Sequence, residues 1–313
     1  MSEKIKRVSG KVGMVMWITT RRCNYRCHYC FDAAAAVRDT LPKLPTKTML
    51  WRGVDNLVAS VGVDEKVCIS GGEPSLLPEF AGFMNYLVSR MSGSEVSVFS
   101  NFSAPVEVWQ SINANDRLRI NGSYHPQFAK YDSFLERVKA MSHLFCKVSL
   151  VADPERMSEV RDVYNRFVAD GVKRIQLKPV VNEDNMGDVF SWYKRDDQNW
   201  LRERVSIETK KLTVDFVRDG KTEQEKITLH EARFRGLNEF RGMLCAAGSK
   251  RIVIDHDGEV YECFPHLHEG VESSTPSLGN IYKASFELHE KPIVCRYDIC
   301  PALCEIAIPK YRS

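Results

Sequence analysis

Cys23, Cys27 and Cys30 stand within the short stretch "TTRRCNYRCHYC" near the start of the chain. Three thiolates spaced by three and then two residues on one loop can point at three corners of a metal–sulfur cube. They do not complete the four-ligand shell that a structural zinc ion takes. A cubane iron–sulfur cluster held by three cysteines leaves one iron open to an outside ligand, so the spacing points to an iron with a free coordination position. Cys245, Cys263, Cys295, Cys300 and Cys304 form a second group near the other end of the chain. Cys68 and Cys146 stand apart in the apolar runs "KVCIS" and "LFCKVSLV" and read as small core hydrophobes.

These side chains need elements to position them. The runs "VGMVMWIT", "KVCIS", "EVSVFS", "RLRINGSY", "CKVSLVA" and "KRIQLKPV" are rich in β-branched residues and read as strands. Between them, helical periodicity covers Met49–Val61, Pro78–Arg90, Phe134–His143 and Met157–Ala169. Gly62, Gly93 and Gly171 follow periodic stretches as C-terminal caps do. Alternating strand and helix predict a parallel α/β sheet. The rhythm changes near Val180, after which "LTVDFVRDGKTEQEKITL" and "RIVIDHDGEVYEC" each read as a hairpin, turning at Asp219–Gly220 and Asp257–Gly258.

Composition narrows the class. A chain of 313 residues can build one large domain and an appendage without disulfide staples. The 44 Lys and Arg against 41 Asp and Glu give +3, too near neutral for a nucleic-acid or membrane-surface footprint. No apolar run approaches the ~20 residues that span a bilayer, and the polar start "MSEKIKRVSG" has no signal-peptide core, so the expected location is the cytoplasm. Ten cysteines in that compartment favour metal binding over disulfides.

The loop resembles the signature of the radical S-adenosylmethionine (SAM) enzymes, CxxxCxΦC with Φ aromatic, carried here by Cys23, Cys27, Tyr29 and Cys30. A second motif of that family, GGEP, is matched by Gly71, Gly72, Glu73 and Pro74 at the end of the second strand. "VFSNF" and "NGSYHP" are similar to the family's third and fourth strand ends. The resemblance covers about residues 12 to 180. It implies a partial (β/α)6 TIM-like barrel as the radical SAM core over 1–180, a linker and hairpin region over 181–240, and a small hairpin-rich auxiliary-cluster domain over 241–313.

By that resemblance, Cys23, Cys27 and Cys30 hold three irons of a [4Fe–4S] cluster, and SAM chelates the fourth. Gly71 and Gly72 let backbone approach the ligand, Glu73 holds either the turn or the SAM ammonium, and Pro74 fixes the turn's shape. Tyr29 packs beside the adenine. Ser100, Asn101 and Ser123 lie at strand C-terminal ends, where such sheets build ligand sites, and reach the ribose or carboxylate or else cap turns. His125 is a candidate substrate-facing residue. The implied chemistry is reductive SAM cleavage, fed by an external one-electron reductant of flavodoxin or ferredoxin type. A 5′-deoxyadenosyl radical then takes a hydrogen atom from a small, sugar-like molecule or a short peptide.

The C-terminal cysteines resemble the SPASM and twitch appendages, which bind auxiliary [4Fe–4S] clusters. Five cysteines suffice for one such cluster. The pattern assigns Cys245 and Cys263 as ligands, and the tight loop around Pro301 favours Cys300 and Cys304 as the other two. Cys295 is left as a packing residue or a hydrogen-atom donor. The cluster's role would be electron acceptance in an oxidation, and a donor cysteine would instead serve an epimerisation. The competing readings are a four-cysteine zinc ribbon, an iron–sulfur or zinc regulatory protein without catalysis, and a viperin-like nucleotide dehydratase, the last suggested by "CNYRCHYCF".

Overall fold

A computed structural model describes residues 4–9, 14–30, 43–62, 65–113, 115–141, 143–180, 190–205, 211–218, 221–269, 276–283, 285–300 and 303–312. The chain opens with strand β1 (Lys4–Ser9). It continues through β2 (Met14–Thr20), β3 (Lys66–Gly71), β4 (Val96–Ser100), β5 (Leu118–Tyr124), β6 (Phe145–Ala152) and β7 (Ile175–Pro179). Helices α1 (Lys47–Val61), α2 (Phe80–Arg90), α3 (Val106–Gln110), α4 (Tyr131–Ala140) and α5 (Met157–Ala169) fall between them, and α6 (Arg195–Val205) follows β7. Strands β2 to β7 pair in parallel and in chain order. This is the expected partial (β/α)6 barrel, an α/β fold.

Local chemistry sets the limits of these elements. Thr46 caps α1 by accepting the Met49 N–H at 3.3 Å, so the helix starts two residues before its apolar period, and Gly62 ends it at φ 81°. Every residue of β2 is buried, as expected for a strand covered on both faces. Trp17, Val67, Ile69, Val98, Ile120 and Leu150 point to the helices and build the main core. Met14, Met16, Ile18 and Cys68 point inward. Cys68 is buried there, as its run implied, and half-buried Cys146 packs on the main core.

The remaining strands are β8 (Lys211–Arg218), β9 (Lys221–Thr228), β10 (Leu244–Cys245), β11 (Arg251–Ile254), β12 (Glu259–Tyr261), β13 (Gly279–Asn280), β14 (Ser285–Phe286), β15 (Ile293–Val294) and β16 (Lys310–Tyr311). Three short helices, α7 (Leu229–Phe234), α8 (Phe264–Glu269) and α9 (Leu303–Ile306), lie among them. Both expected hairpins form, as β8–β9 and β11–β12, although Asp219 and Gly220 themselves lie outside the described residues. The β11–β12 hairpin does not stand in a small sheet of its own. β11 pairs in parallel with β2, Arg251 opposite Met14, and carries the main sheet onward through β12, β13 and β14.

A second sheet among the described residues has the order β15-β10-β16-β1-β8-β9. The polar start of the chain therefore holds a strand that its composition hid. β1 is fixed by pairing with β8 and β16, with Val8 opposite Val214 and Lys310, and buries Val8 against Leu212, Phe216 and Phe240.

Candidate functional site

The cysteine loop leaves β2 at Thr20 and lies against the ends of β3, β4 and β5. The Gly72 N–H donates to the Thr20 carbonyl and the Glu73 N–H to the Arg22 carbonyl, each at 2.7 Å. A Cβ on Gly72 would stand 2.2 Å from the Arg22 oxygen, and one on Gly71, at φ 135°, equally close to that of Thr20. The two glycines thus let the β3 turn clasp the base of the cysteine loop, a backbone approach that no larger residue permits.

Glu73 is wholly buried. Its Oε1 accepts the Ser75 N–H at 2.9 Å, the Ser75 hydroxyl at 2.5 Å and the Ser100 hydroxyl at 2.6 Å, while Oε2 accepts the Asn101 N–H at 2.6 Å. Both oxygens are therefore engaged within the fold, tying the turn to the end of β4. Of its two expected roles, the geometry favours holding the turn. Burial raises the Glu73 pKa, and the donors from Ser100, Ser75 and Asn101 oppose that rise. Pro74 is buried and opens the short turn that follows.

Asn101 connects this network to the cysteines. Its Nδ2 donates to Asn24 Oδ1 at 2.9 Å and lies 3.9 Å from Cys23 Sγ, which also receives the Tyr25 N–H at 3.4 Å. Phe102, at φ 57°, seats its ring over Gly122, where a Cβ would stand 2.3 Å from a ring carbon, and so fixes the turn that carries Asn101. His125, just beyond β5, places Nδ1 3.4 Å from Cys27 Sγ and 3.1 Å from the Tyr29 hydroxyl, with its ring stacked on Tyr29. Tyr29 is buried in that stack. Burial and the nearby Lys178 hold the His125 pKa down to about 3, so its imidazole is neutral near pH 7. Ser123 stands opposite Ser149 in the β5–β6 register.

Burial, against the lowering hydrogen bond from Tyr29 and with Cys30 and Cys23 adding to it, raises the Cys27 thiol to about 12. Three mutually coupled thiols ringed by an amide, a backbone N–H, a phenol and an imidazole suit a cluster whose sulfurs accept hydrogen bonds. Arg21 grips Asp255 beyond the end of β11 through two hydrogen bonds, at 3.0 and 2.7 Å. Neither this contact nor the clasp at Phe102 left a local sequence signal, because each joins residues distant in the chain.

A second cavity is lined by Cys245, Cys263, Cys295 and Cys300, with Glu262, Glu305, Arg296 and Lys310 around them. β10 pairs with β15, Cys245 opposite Ile293, and the Cys295 N–H donates to the Met243 carbonyl at 2.8 Å. That pairing carries Cys295 into the cavity, although the sequence reading set it aside as the spare thiol. Cys304 lies in α9, and its side chain is outside the described residues. Burial raises the pKa of all four lining thiols, and Lys310 opposes this at Cys245, Cys295 and Cys300. Thiols that resist ionisation alone, three of them buried and Cys295 half-buried, gathered around one space, suit a metal or cluster that binds them as thiolates.

Residues 17–125, which carry the cysteine loop and the GGEP turn, match the Radical SAM superfamily. An S-adenosylmethionine-dependent nucleotide dehydratase of Thermoplasmatales archaeon (strain ISO4-H5) is 38% identical over 90 residues, 29% of this chain and 29% of that protein. A GTP 3′,8-cyclase of Streptomyces coelicolor (strain ATCC BAA-471 / A3(2) / M145) is 33% identical over 82 residues, 26% of this chain and 24% of that protein. The chain thus matches less than a third of either curated relative. Among solved structures, anSMEcpe with bound AdoMet and Kp18Cys peptide superposes with a TM-score of 0.56 at 14% identity, over 88% of this chain and 80% of that one. At that identity the likeness establishes the fold. No helix among the described residues is long and apolar enough to cross a membrane.

Proposed function

We propose that the protein is a radical SAM enzyme that removes a hydrogen atom from a small-molecule or short-peptide substrate, for oxidation or epimerisation, with the help of one auxiliary [4Fe–4S] cluster. The observation that carries this reading is the clasp between the GGEP turn and the cysteine loop, inside a segment matched to the superfamily. When bound, the cluster and SAM supply a 5′-deoxyadenosyl radical, delivered by an electron from an external reductant.

The protein's part is to hold and orient. Cys23, Cys27 and Cys30 would ligate the catalytic cluster, with Asn101 and His125 beside two of the thiols. Gly71, Gly72, Glu73 and Pro74 fix the turn on which SAM's amino group would rest. Ser100 and Asn101 hold that turn in place, and Ser123 and Tyr29 remain candidates for contact with the nucleoside. Cys245, Cys263, Cys295 and Cys300 would hold the auxiliary cluster, since these four line one cavity. That set replaces the pairing of Cys300 with Cys304, and it makes Cys295 a ligand and not a hydrogen donor. A nucleotide substrate is the second reading, supported by the names of the two curated relatives.

Iron and sulfide analysis of protein prepared without oxygen tests the assignment. The expected content is about eight irons per chain in the intact protein. The triple replacement of Cys23, Cys27 and Cys30 by Ala should leave about four, and so should Cys295→Ala. A Cys295→Ala protein that keeps its full iron would overturn the four-thiol set and return Cys304 to it.

A further inference from the structure

The cysteine loop carries a ligand-type side chain that the cluster does not use. His28, between Cys27 and Cys30, turns its Nε2 to within 3.6 Å of Asp153 Oδ1 and 3.9 Å of Glu155 Oε2. One donor atom from each of the three lies within 4.8 Å of the others. Neighbouring ligands about 2.0–2.2 Å from one ion lie roughly 3–3.6 Å apart, so the His28–Asp153 distance already fits, and the exposed Glu155 side chain would have to swing inward to join them.

Asp153, the residue after β6, supplies an independent observation. Its side chain is 0% exposed and faces His28. Oδ1 accepts the Glu155 N–H at 3.0 Å, while Oδ2 has no hydrogen-bond partner among the described residues. A buried carboxylate oxygen without a donor costs about 1–3 kcal/mol or more, and such an orphan in an otherwise satisfied site calls for an ion or a water. A cation that takes both oxygens of the Asp153 carboxylate would remove that cost.

We propose that His28, Asp153 and Glu155 form a site for one divalent transition-metal ion that clamps the cysteine loop to the end of β6. One imidazole with two carboxylates suits Mn²⁺, Fe²⁺ or Zn²⁺ better than Ca²⁺ or Mg²⁺, which prefer shells of oxygen alone. Three protein ligands leave further positions for water on the side where His28 and Glu155 are exposed. The site is separate from both cysteine sets and does not depend on the radical reading.

Manganese binding tests it, because Mn²⁺ has little affinity for thiolates and leaves the cysteine sites silent. Mn²⁺ is titrated into the anaerobically prepared, cluster-loaded protein, and the free ion is followed by electron paramagnetic resonance. The expected result is saturable uptake of about one Mn²⁺ per chain below about 1 mM. His28→Ala and Asp153→Asn should each weaken it at least tenfold. Glu155→Gln, a surface change that disturbs no buried contact, should do so as well, and Zn²⁺ should displace the Mn²⁺. Absence of saturable binding in the intact protein would overturn the proposal. So would uptake that survives unchanged in both His28→Ala and Glu155→Gln.

Discussion

Glu73 shows what a motif letter becomes once its neighbours are known. Four donors from Ser75, Ser100 and Asn101 converge on a carboxylate that water does not reach. Glu73→Ala would leave those donors buried without an acceptor, and the expected loss is about 3 kcal/mol of stability. Glu73→Gln, which keeps part of the set, should cost clearly less. Chemical unfolding of the three proteins checks the order, and equal stability of Glu73→Ala and the parent would contradict it. Because Asn101 also lies beside Cys23, Glu73→Ala should loosen the cluster loop and lower iron retention, an effect that a pure ligand-contacting role would not produce. The sequence made GGEP visible, since its residues adjoin. The partners at Ser100 and Asn101 stayed hidden, because only the parallel pairing of β3 with β4 brings them alongside. The place of Cys295 stayed hidden for the same reason: the compact spacing of Cys300 and Cys304 is visible in sequence, whereas the β10–β15 pairing that brings Cys295 to the cavity is not.

Between elements, the Arg21–Asp255 contact joins the cysteine loop to the β11–β12 hairpin. Burial pushes the Asp255 pKa up, but hydrogen bonds from His256 and Arg21 outweigh it and hold it down to about 2, against 3.8 ordinarily. A lowered carboxylate pKa adds stability above the unfolded value, and that stability is lost as pH falls from 3.8 toward 2. The shift corresponds to roughly 2 kcal/mol. Asp255→Asn should therefore lower unfolding stability at pH 8, where the Arg21 contact is intact, and the difference from the parent should shrink as pH falls from 3.8 toward 2. A variant as stable as the parent at pH 8 would show that the contact contributes nothing. A second test at this scale is Gly72→Ala, whose methyl would meet the Arg22 carbonyl at 2.2 Å. The β3 turn or the cysteine loop must then shift. Lower stability and weaker SAM binding are expected, with SAM affinity measured by equilibrium dialysis. The strands and long helices were legible because their periods and caps are local. β1 was not, since a short alternating strand with charged outer positions reads as a polar tail until β8 and β16 pair with it.

At the scale of the molecule, the parallel pairing of β11 with β2 makes one continuous sheet from the barrel strands to the hairpin that precedes Cys263. The Cys23 loop and Cys263 thus follow strands of one sheet, β2 and β12, whereas Cys245 and Cys295 come from β10 and the end of β15 in the second sheet. If the loop of Cys23, Cys27 and Cys30 supports reductive cleavage of SAM, the reconstituted protein, reduced with dithionite and supplied with SAM in the absence of oxygen, should form 5′-deoxyadenosine and methionine in equal amounts. The triple alanine variant at Cys23, Cys27 and Cys30 should form none, even with the auxiliary iron retained. An intact, fully iron-loaded protein that forms no 5′-deoxyadenosine, or a triple variant that still forms it, would contradict this role of the loop.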